Sequence, residues 1–351
     1  MTGSPAKTAF PRNKSRSGIA PASLRPAVAI SPRGTGAGLC VIYRCEGSVR
    51  FSLTSRDAVH TASVPECNTL HDIAADPAEQ AKAIRCHHRC VIFPTMRNML
   101  ELQDLNVEIA GKSVCRSLCL SLTSGQRWAM LGSNGIGKTT LLHTLAGLRP
   151  AAGGQVLLHG ESVFTAQPRA RARHIGVLFQ DNDDPFPATV LETALIGRHP
   201  HLPPLAWESP ADAALAGRAL DDVHLAELSG RSVTTLSGGE RQRLAVATLL
   251  TQDPQVWLLD EPISHLDLHH QIALLKLLQN RLTQNQGTAL MTLHDVNLAA
   301  RFCDHLLLLF GDGATLHGAT GDVLSVDNLE RLYGHPIERL ADGDRQVFLP
   351  A

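Results

Sequence analysis

The stretch that decides the fold is LGSNGIGKTT, residues 131–140. From Gly132 to Thr139 it fits the pattern G-x-x-x-x-G-K-[ST] without a mismatch. A short apolar run at 128–131 precedes it, and a helix-like run, TTLLHTLAGL, follows it. Glycines let the backbone curl so that successive N–H groups point at phosphate oxygens, and the N-terminus of the following helix adds positive charge. The stretch therefore predicts a phosphate-binding loop between a buried strand and a helix.

This loop carries the side chains that a nucleoside triphosphate needs. Lys138 is expected to reach the β- and γ-phosphates, and Thr139 to offer its hydroxyl to Mg²⁺. A purely structural glycine turn is the alternative interpretation, but the strand before the loop and the helix after it disfavour that alternative. The loop residues expected to bind the nucleotide are Gly132, Ser133, Asn134, Gly135, Gly137, Lys138, Thr139 and Thr140.

Two adjacent carboxylates end a second apolar run, VWLLDEP at 256–262. An acid at the carboxyl end of a parallel strand beside the phosphate loop is placed to hold Mg²⁺ through water, which is the role expected of Asp260. Glu261 points to the other side of the chain and is expected to orient or deprotonate an attacking water. Alone, the Asp-Glu pair could be an ordinary solvated turn. The phosphate loop favours the catalytic interpretation.

A second anion-binding site is predicted at LSGGERQRLAVATLL, residues 236–250. Ser237, Gly238 and Gly239 open a helix whose N-terminus carries no side-chain bulk, so its N–H groups are open to an anion. A plain helix cap would not need two glycines together. Each chain therefore carries two predicted binding segments for one nucleoside triphosphate, the phosphate loop and this helix N-terminus.

Five motifs together resemble a known family. GSNGIGKTT, LSGGERQ, LLDEP, ISHLD and TLHD, in this order, closely resemble those of the ATP-binding cassette ATPases of membrane transporters, and the resemblance covers about residues 99–340. It implies ATP and Mg²⁺ as cofactors and ATP hydrolysis as the activity. Within the family, TVLETALIGRHPHL and SHLDLHHQ look most like the branch that serves iron–siderophore, haem and cobalamin importers.

The resemblance also implies roles for single residues. Gln180, at the end of GVLFQ, resembles the Q-loop glutamine that touches Mg²⁺ and the catalytic water. Asp267 resembles the D-loop aspartate, and His294 the switch histidine that contacts the γ-phosphate. The implied assignment is catalytic for Glu261, His294 and Gln180, magnesium-binding for Thr139, Gln180 and Asp260, and ATP-binding for the phosphate loop with Ser237, Gly238, Gly239 and Asp267.

Partners are implied in the same way. In the family two copies stack head to tail, and each ATP lies between one copy's phosphate loop and the other's LSGGE signature. The dimer drives a polytopic permease, which receives cargo from a substrate-binding protein, and the ATPase is peripheral to the cytoplasmic face of the inner membrane. A groove beside Gln180 is expected to receive a cytoplasmic permease helix.

The pattern of apolar runs predicts an α/β fold. Short, nearly continuous apolar runs separated by helix-like stretches indicate parallel strands buried on both faces. The family resemblance implies the P-loop NTPase ABC ATPase fold, with a mixed central sheet, flanking helices, an antiparallel β subdomain and a helical subdomain at about 186–235. Residues 99–109 alternate like an edge strand, and Ser209-Pro210 followed by Asp212 predicts a helix start.

The expected domains are an extension at 1–95, the ATPase domain at 96–340 and a tail at 341–351. Residues 1–98 hold 13 Lys and Arg against 6 Asp and Glu, whereas the whole chain has a net charge of −1. The first part is rich in Pro, Ser, Gly and Arg, which is typical of disorder, and residues 39–95 show no defensible helix or hairpin pattern.

Three interpretations of the extension are open. Upstream sequence read in frame, with translation starting at Met96 or Met99, is the interpretation we favour. CHHRC at 86–90, with Cys67 and His71 nearby, suggests zinc, although paired C-x₂-C knuckles are missing. A disordered regulatory arm is the third.

Composition and charge weigh against other classes of protein. A net charge of −1 argues against a dedicated nucleic-acid binder, because neutralising phosphates supplies most of that affinity. No uncharged apolar run reaches the roughly 18–20 residues of a membrane span. An exporter ATPase remains an alternative, as does a soluble cassette protein acting on DNA or ribosomes. Soluble cassette proteins that act on DNA or ribosomes carry a long coiled coil or tandem cassettes, whereas this chain has one cassette.

Two features depart from the family. The aromatic that often stacks on adenine is missing, since Ile109 or Ala110 stands in its place. Stacking contributes about 1–3 kcal/mol per base, so weaker or less adenine-selective binding is expected. After Gln180 the chain is unusually acidic, and this stretch is either a solvated loop or a contact for basic permease residues. Its acids are Asp181, Asp183 and Asp184.

Overall fold

The computed structural model describes residues 26–29, 40–45, 48–55, 58–65, 98–180, 187–342 and 345–351. They belong to two compact units, Met1–Val91 and Ile92–Ala351. The CHHRC stretch and the acids Asp181, Asp183 and Asp184 lie outside the described residues, so the hypotheses about them stay untested.

The first unit contains a four-stranded antiparallel sheet in chain order. Its strands are β1 (Pro26–Ala29), β2 (Cys40–Cys45), β3 (Ser48–Ser55) and β4 (Ala58–Pro65). The sequence of residues 39–95 gave no defensible hairpin pattern, whereas the structure pairs these strands as antiparallel neighbours. Only two residues separate β2 from β3 and β3 from β4 in the sequence, a spacing typical of hairpins, and the strands carry β-favouring Val, Ile, Tyr and Phe. Interspersed Arg and Ser obscured that pattern.

The second unit is mixed α/β. Its strands are β5 (Asn98–Ile109), β6 (Lys112–Thr123), β7 (Arg127–Leu131), β8 (Gly153–Leu158), β9 (Glu161–Ser162), β10 (Ile175–Leu178), β11 (Val256–Leu259), β12 (Thr288–Thr292), β13 (His305–Leu309), β14 (Thr315–Ala319), β15 (Ile337–Asp342) and β16 (Arg345–Pro350). Its α-helices are α1 (Lys138–Leu145), α2 (Pro168–Arg171), α3 (Val190–Leu195), α4 (Pro210–Asp222), α5 (Gly238–Gln252), α6 (Leu268–Asn285), α7 (Val296–Phe302), α8 (Thr320–Val323) and α9 (Val326–Tyr333). Within the described part of the chain, no helix is long and apolar enough to cross a membrane.

The central sheet has the strand order β10-β11-β12-β7-β13-β14. Its first five strands are parallel, and β14 pairs with β13 in the antiparallel sense. Every residue of β11 and β12 is buried, because apolar clusters cover both faces of the sheet. The predicted α/β class with a mixed central sheet is thus confirmed.

A second sheet is antiparallel, with the order β6-β5-β8-β9. The sequence predicted an edge strand at 99–109, but β5 is an inner strand that pairs with both β6 and β8. Its alternation reflects burial of one face, which carries Leu100, Leu102 and Leu105. Alternation reports which face of a strand is covered and does not distinguish an inner strand from an edge strand.

The segment between β10 and β11 is mainly helical. It contains α3, α4, α5 and three 3₁₀ turns, Ile196–Arg198, Ala226–Leu228 and Val233–Thr235. The predicted helix start is confirmed, because Ser209 is the N-cap of α4, Pro210 its first residue and Asp212 the partner in a capping box. Asp212 also accepts a 2.8 Å hydrogen bond from Nε of Arg198, which ties this helix to the preceding turn.

Asp212→Asn is expected to lower the free energy of unfolding at pH 7 by about 2 kcal/mol. Hydrogen bonds from Ser209, followed by that from Arg198, lower the pKa of Asp212 from 3.8 to about 2. The folded state therefore favours the carboxylate, and its contribution is complete above the unfolded pKa and is lost as the pH falls towards 2. Chemical denaturation between pH 7 and 2.5 should show the difference between parent and variant shrinking. A difference in unfolding free energy that does not change with pH would show that the Asp212 carboxylate is not its source.

Candidate nucleotide-binding site

The carboxyl ends of four parallel strands bring many of the predicted site residues to one edge of the central sheet. Leu178 of β10 pairs with Leu259 of β11, Leu259 pairs with Met291 of β12, and Thr292 pairs with Met130 of β7. The residues that follow these strands are therefore neighbours. They are the phosphate loop after β7, Gln180 after β10, Asp260 and Glu261 after β11, and His294 after β12.

The phosphate loop needs its glycines for conformation and for space. Gly135 and Gly137 have φ of 75° and 106°, which side chains disfavour. A Cβ at Gly137 would lie 2.5 Å from Cγ2 of Val114 on β6. Helix α1 starts directly after Gly137, which offers no side-chain cap. The N–H groups of the first turn thus remain available to an anion, and the loop fits a phosphate.

Lys138 is folded across its own loop. Its Nζ donates hydrogen bonds to the carbonyl oxygens of Gly132 at 2.8 Å and Ser133 at 3.1 Å. Burial lowers the pKa of Lys138, and the nearby carboxylates of Glu261 and Asp260 partly oppose this effect. An incoming phosphate would offer the ammonium group charged oxygens in exchange for these neutral carbonyls.

Asp260 has the properties of a metal ligand. Its side chain is almost completely buried, at 1% exposure. Oδ1 accepts a hydrogen bond from Oγ1 of Thr292 at 2.8 Å, whereas Oδ2 has no hydrogen-bond partner within the described residues. A buried carboxylate oxygen without a hydrogen-bond partner destabilises the folded state unless a cation binds to it. The residues present therefore fit Mg²⁺, with Asp260 beside the phosphate loop.

Glu261 contacts His294 directly. Oε1 of Glu261 lies 2.7 Å from Nε2 of His294, and both side chains remain partly exposed. The backbone of Glu261 has φ 48°, an unfavourable conformation for a residue with a side chain. Three residues hold it: the Glu261 N–H donates to Oγ1 of Thr292, and the Glu261 carbonyl accepts from the side chain of Gln242 and from the hydroxyl and N–H of Ser264.

Thr292 and Gln242 belong to the site but were missed from the sequence. Thr292 is the polar last residue of the apolar strand β12, and Gln242 is a buried polar residue on α5. Buried polar residues in otherwise apolar faces need partners, which was the signal available. The partners themselves come from distant positions in the chain, so the sequence did not identify them.

The signature segment is held by its own local hydrogen bonds. Ser237 caps α5 and forms a capping box with Glu240, in which each residue's backbone N–H donates to the other's side chain. A Cβ at Gly239 would lie 3.3 Å from the carbonyl oxygen of His265, so a glycine permits close packing there. In the described residues, no hydrogen bond or ion pair joins this turn to the phosphate loop.

Asp267 and Gln180 are exposed, whereas Thr139 is half-buried and Thr140 is buried. Asp267 is the N-cap of α6, and its Oδ1 accepts hydrogen bonds from N and Nδ1 of His270, both at 2.9 Å. These bonds lower the pKa of Asp267. Gln180 lies two residues after the end of β10, the strand that pairs with β11, and Asp260 directly follows β11. Ala110 lies with Gly111 in the turn between β5 and β6, at φ 48° and 77°.

Comparison with known proteins identifies the family to which the chain belongs. Residues 115–264 match the family described as ABC transporter. The chain is 38% identical over 222 residues to the achromobactin transport ATP-binding protein CbrD of Dickeya dadantii, covering 63% of this chain and 82% of that protein. It is 35% identical over 234 residues to the cobalamin import ATP-binding protein BtuD of Halobacterium salinarum, covering 67% of this chain but only 58% of that protein.

A solved structure of a metal-chelate type ABC transporter, in an inward-facing conformation, has the same fold. The TM-score is 0.63 and the identity 29%, and the match covers 72% of this chain and 98% of that one. The fold class predicted from the motifs is confirmed.

Proposed function

Because the chain belongs to the ABC transporter family, we propose that it is the subunit that energises a membrane importer for a metal chelate. ATP binding and ATP hydrolysis come with membership of the family. The proposed cargo is a chelate of the iron–siderophore, haem or cobalamin type. The single observation that carries the catalytic part is the convergence of Lys138, Asp260, Glu261 and His294 at one sheet edge.

We propose a division of roles among these residues. Lys138 and the N–H groups at 132–140 bind the phosphates, while Thr139, Gln180 and Asp260 hold Mg²⁺. Bound Mg²⁺ would neutralise charge on the phosphates. Glu261 accepts the proton of the attacking water, and His294, now bonded to Glu261, turns to the γ-phosphate.

A second copy of the chain completes the site in this proposal. Among the described residues, no hydrogen bond or ion pair joins Ser237, Gly238 or Gly239 to the phosphate loop of their own chain. Head-to-tail pairing would place them, with Asp267, on the nucleotide of the partner copy. Opening and closing of this dimer would then move the permease between two conformations.

A groove beside Gln180 is the proposed permease site. It has a volume of about 420 Å³ and lies between the sheet and the helical segment. Leu148, Phe179 and Ile196 contribute to its lining, and these side chains are 51%, 40% and 47% exposed. An exposed apolar groove of this kind suits an apolar face of a helix. The chain would accordingly be peripheral to the cytoplasmic face of the inner membrane.

Ile196→Glu is expected to weaken binding of the permease at least about tenfold, because a carboxylate would be desolvated in an apolar contact. Leu205→Glu is the matched control, since Leu205 is fully exposed and does not line the groove. Copurification with the permease measures the effect, and an ATP titration shows whether each variant is folded. Equal binding by both variants would place the permease elsewhere.

Reconstitution tests the cargo and the alternatives. The chain, its permease and a binding protein in vesicles should take up a siderophore, haem or cobalamin only with ATP. Movement of cargo in the opposite direction would favour an exporter. Capture of ribosomes or DNA, and of no permease, would favour the soluble alternative.

A further inference from the structure

We infer that Thr292 is a positioning residue that sets the orientation of both Asp260 and Glu261. This inference rests on the proposed magnesium site at Asp260. The side chain of Thr292 is fully buried at the carboxyl end of β12, next to the strand that carries the two acids. A single hydroxyl serves two partners: Oγ1 donates to Oδ1 of Asp260 at 2.8 Å and accepts from the N–H of Glu261 at 2.7 Å.

The contact with Asp260 selects which oxygen faces the metal. Oδ1 is bound by Thr292, and Oδ2 is the oxygen without a partner. Without the hydroxyl, both oxygens of this buried carboxylate would lack a partner, and nothing among these contacts would fix its rotation. Groups that orient a metal ligand typically change metal affinity or activity by about 10- to 100-fold when they are removed.

The contact with Glu261 supports a strained backbone. At φ 48° Glu261 needs surrounding contacts to hold it, because such conformations persist only where the neighbouring structure determines them. Gln242 and Ser264 hold its carbonyl oxygen, and Thr292 holds its N–H. The same hydroxyl of Thr292 thus fixes the orientation of both Glu261, the proposed base, and Asp260, the proposed metal ligand.

The same strand supplies a matched control. Thr288, at the opposite end of β12, is also fully buried, and its hydroxyl donates to the carbonyl oxygen of Gln126 at 2.9 Å. Thr288→Val and Thr292→Val each remove one buried hydroxyl from β12 and keep the branched shape. A general loss of packing or hydrogen bonding would affect both variants, whereas a positioning role affects only Thr292→Val.

The test measures metal binding and turnover separately on the full chain. Mn²⁺ binding in the presence of a non-hydrolysable ATP analogue is followed by electron paramagnetic resonance, and kcat is measured with MgATP. Thr292→Val is expected to weaken Mn²⁺ binding and to lower kcat, each by about 10- to 100-fold. Thr292→Ser, which keeps the hydroxyl, is expected to restore most of both, and Thr288→Val to resemble the parent.

Other outcomes would overturn the inference. Thr292→Val behaving like Thr288→Val in both measurements would show that the hydroxyl positions nothing. If Thr292→Val does not fold, Thr292→Ala is compared with Thr292→Ser in the same way. Unchanged Mn²⁺ binding in Asp260→Ala would instead show that the magnesium assignment itself is wrong, and this outcome is distinguishable from a failure of Thr292 alone.

Discussion

Glu261→Gln is expected to lower the rate of ATP hydrolysis by about 10²- to 10⁴-fold, the usual contribution of a general base. The amide keeps the size of the carboxylate but does not accept the proton of the attacking water. Nucleotide binding should persist, because Lys138 and the phosphate loop are unchanged. Two copies that have closed over ATP should then fail to reopen, so the variant is expected to form a stable dimer.

Steady-state hydrolysis and light scattering with and without MgATP measure these two effects. Glu338→Gln on the C-terminal hairpin is the control, since Glu338 is exposed and remote in sequence from every site residue. Hydrolysis at the parental rate would remove Glu261 from the role of base. A variant that is inactive yet monomeric at saturating ATP would contradict the proposed pairing of copies.

Lys138→Ala is expected to weaken nucleotide binding by about 10- to 100-fold, because hydrogen bonds between charged groups contribute roughly 1.5–3 kcal/mol. Lys138 is buried, at 6% exposure, and its Nζ lies within the loop that would hold the phosphates. Isothermal titration with ATP analogues measures the affinity. Unlike Glu261→Gln, this substitution acts on binding and should therefore prevent dimer formation at moderate ATP concentrations.

Lys138 also bonds to the carbonyls of Gly132 and Ser133, so its removal could disturb the loop itself. Lys138→Arg separates the two effects, because it retains the charge with a different geometry. Lys276→Ala on α6 controls for the loss of a positive charge. Unchanged affinity in Lys138→Ala would show that the ammonium group does not contact phosphate.

Local sequence rules anticipated much of this molecule. The strand, glycine loop and helix around Lys138 are specified by residues adjacent in the chain, and so are the helix starts at Ser209 and Ser237. Their chemistry is determined within one turn of a helix, which is why short patterns predict them. The roles of the site residues remain predictions that mutagenesis must test.

Contacts between distant segments could not be predicted from short sequence patterns. Alternation identified the buried face of β5 but not its inner position, which depends on pairing with β8 some 50 residues later. The bonds of Thr292 to Asp260 and Glu261 depend on the register of two neighbouring parallel strands. Such register follows from the packing of the whole sheet.

Helix α5 connects the signature, the backbone of Glu261 and the groove beside Gln180. It begins at the signature, and Gln242 in its second turn holds the carbonyl of Glu261. At its last turn Gln252 lines the groove and donates to the carbonyls of Ala172 and Ile175. Fifteen residues make a rod of about 22 Å. A tilt of this helix by whatever occupies the groove would shift the backbone of Glu261 and, in the proposed dimer, the signature that faces the nucleotide of the partner copy, in a single motion.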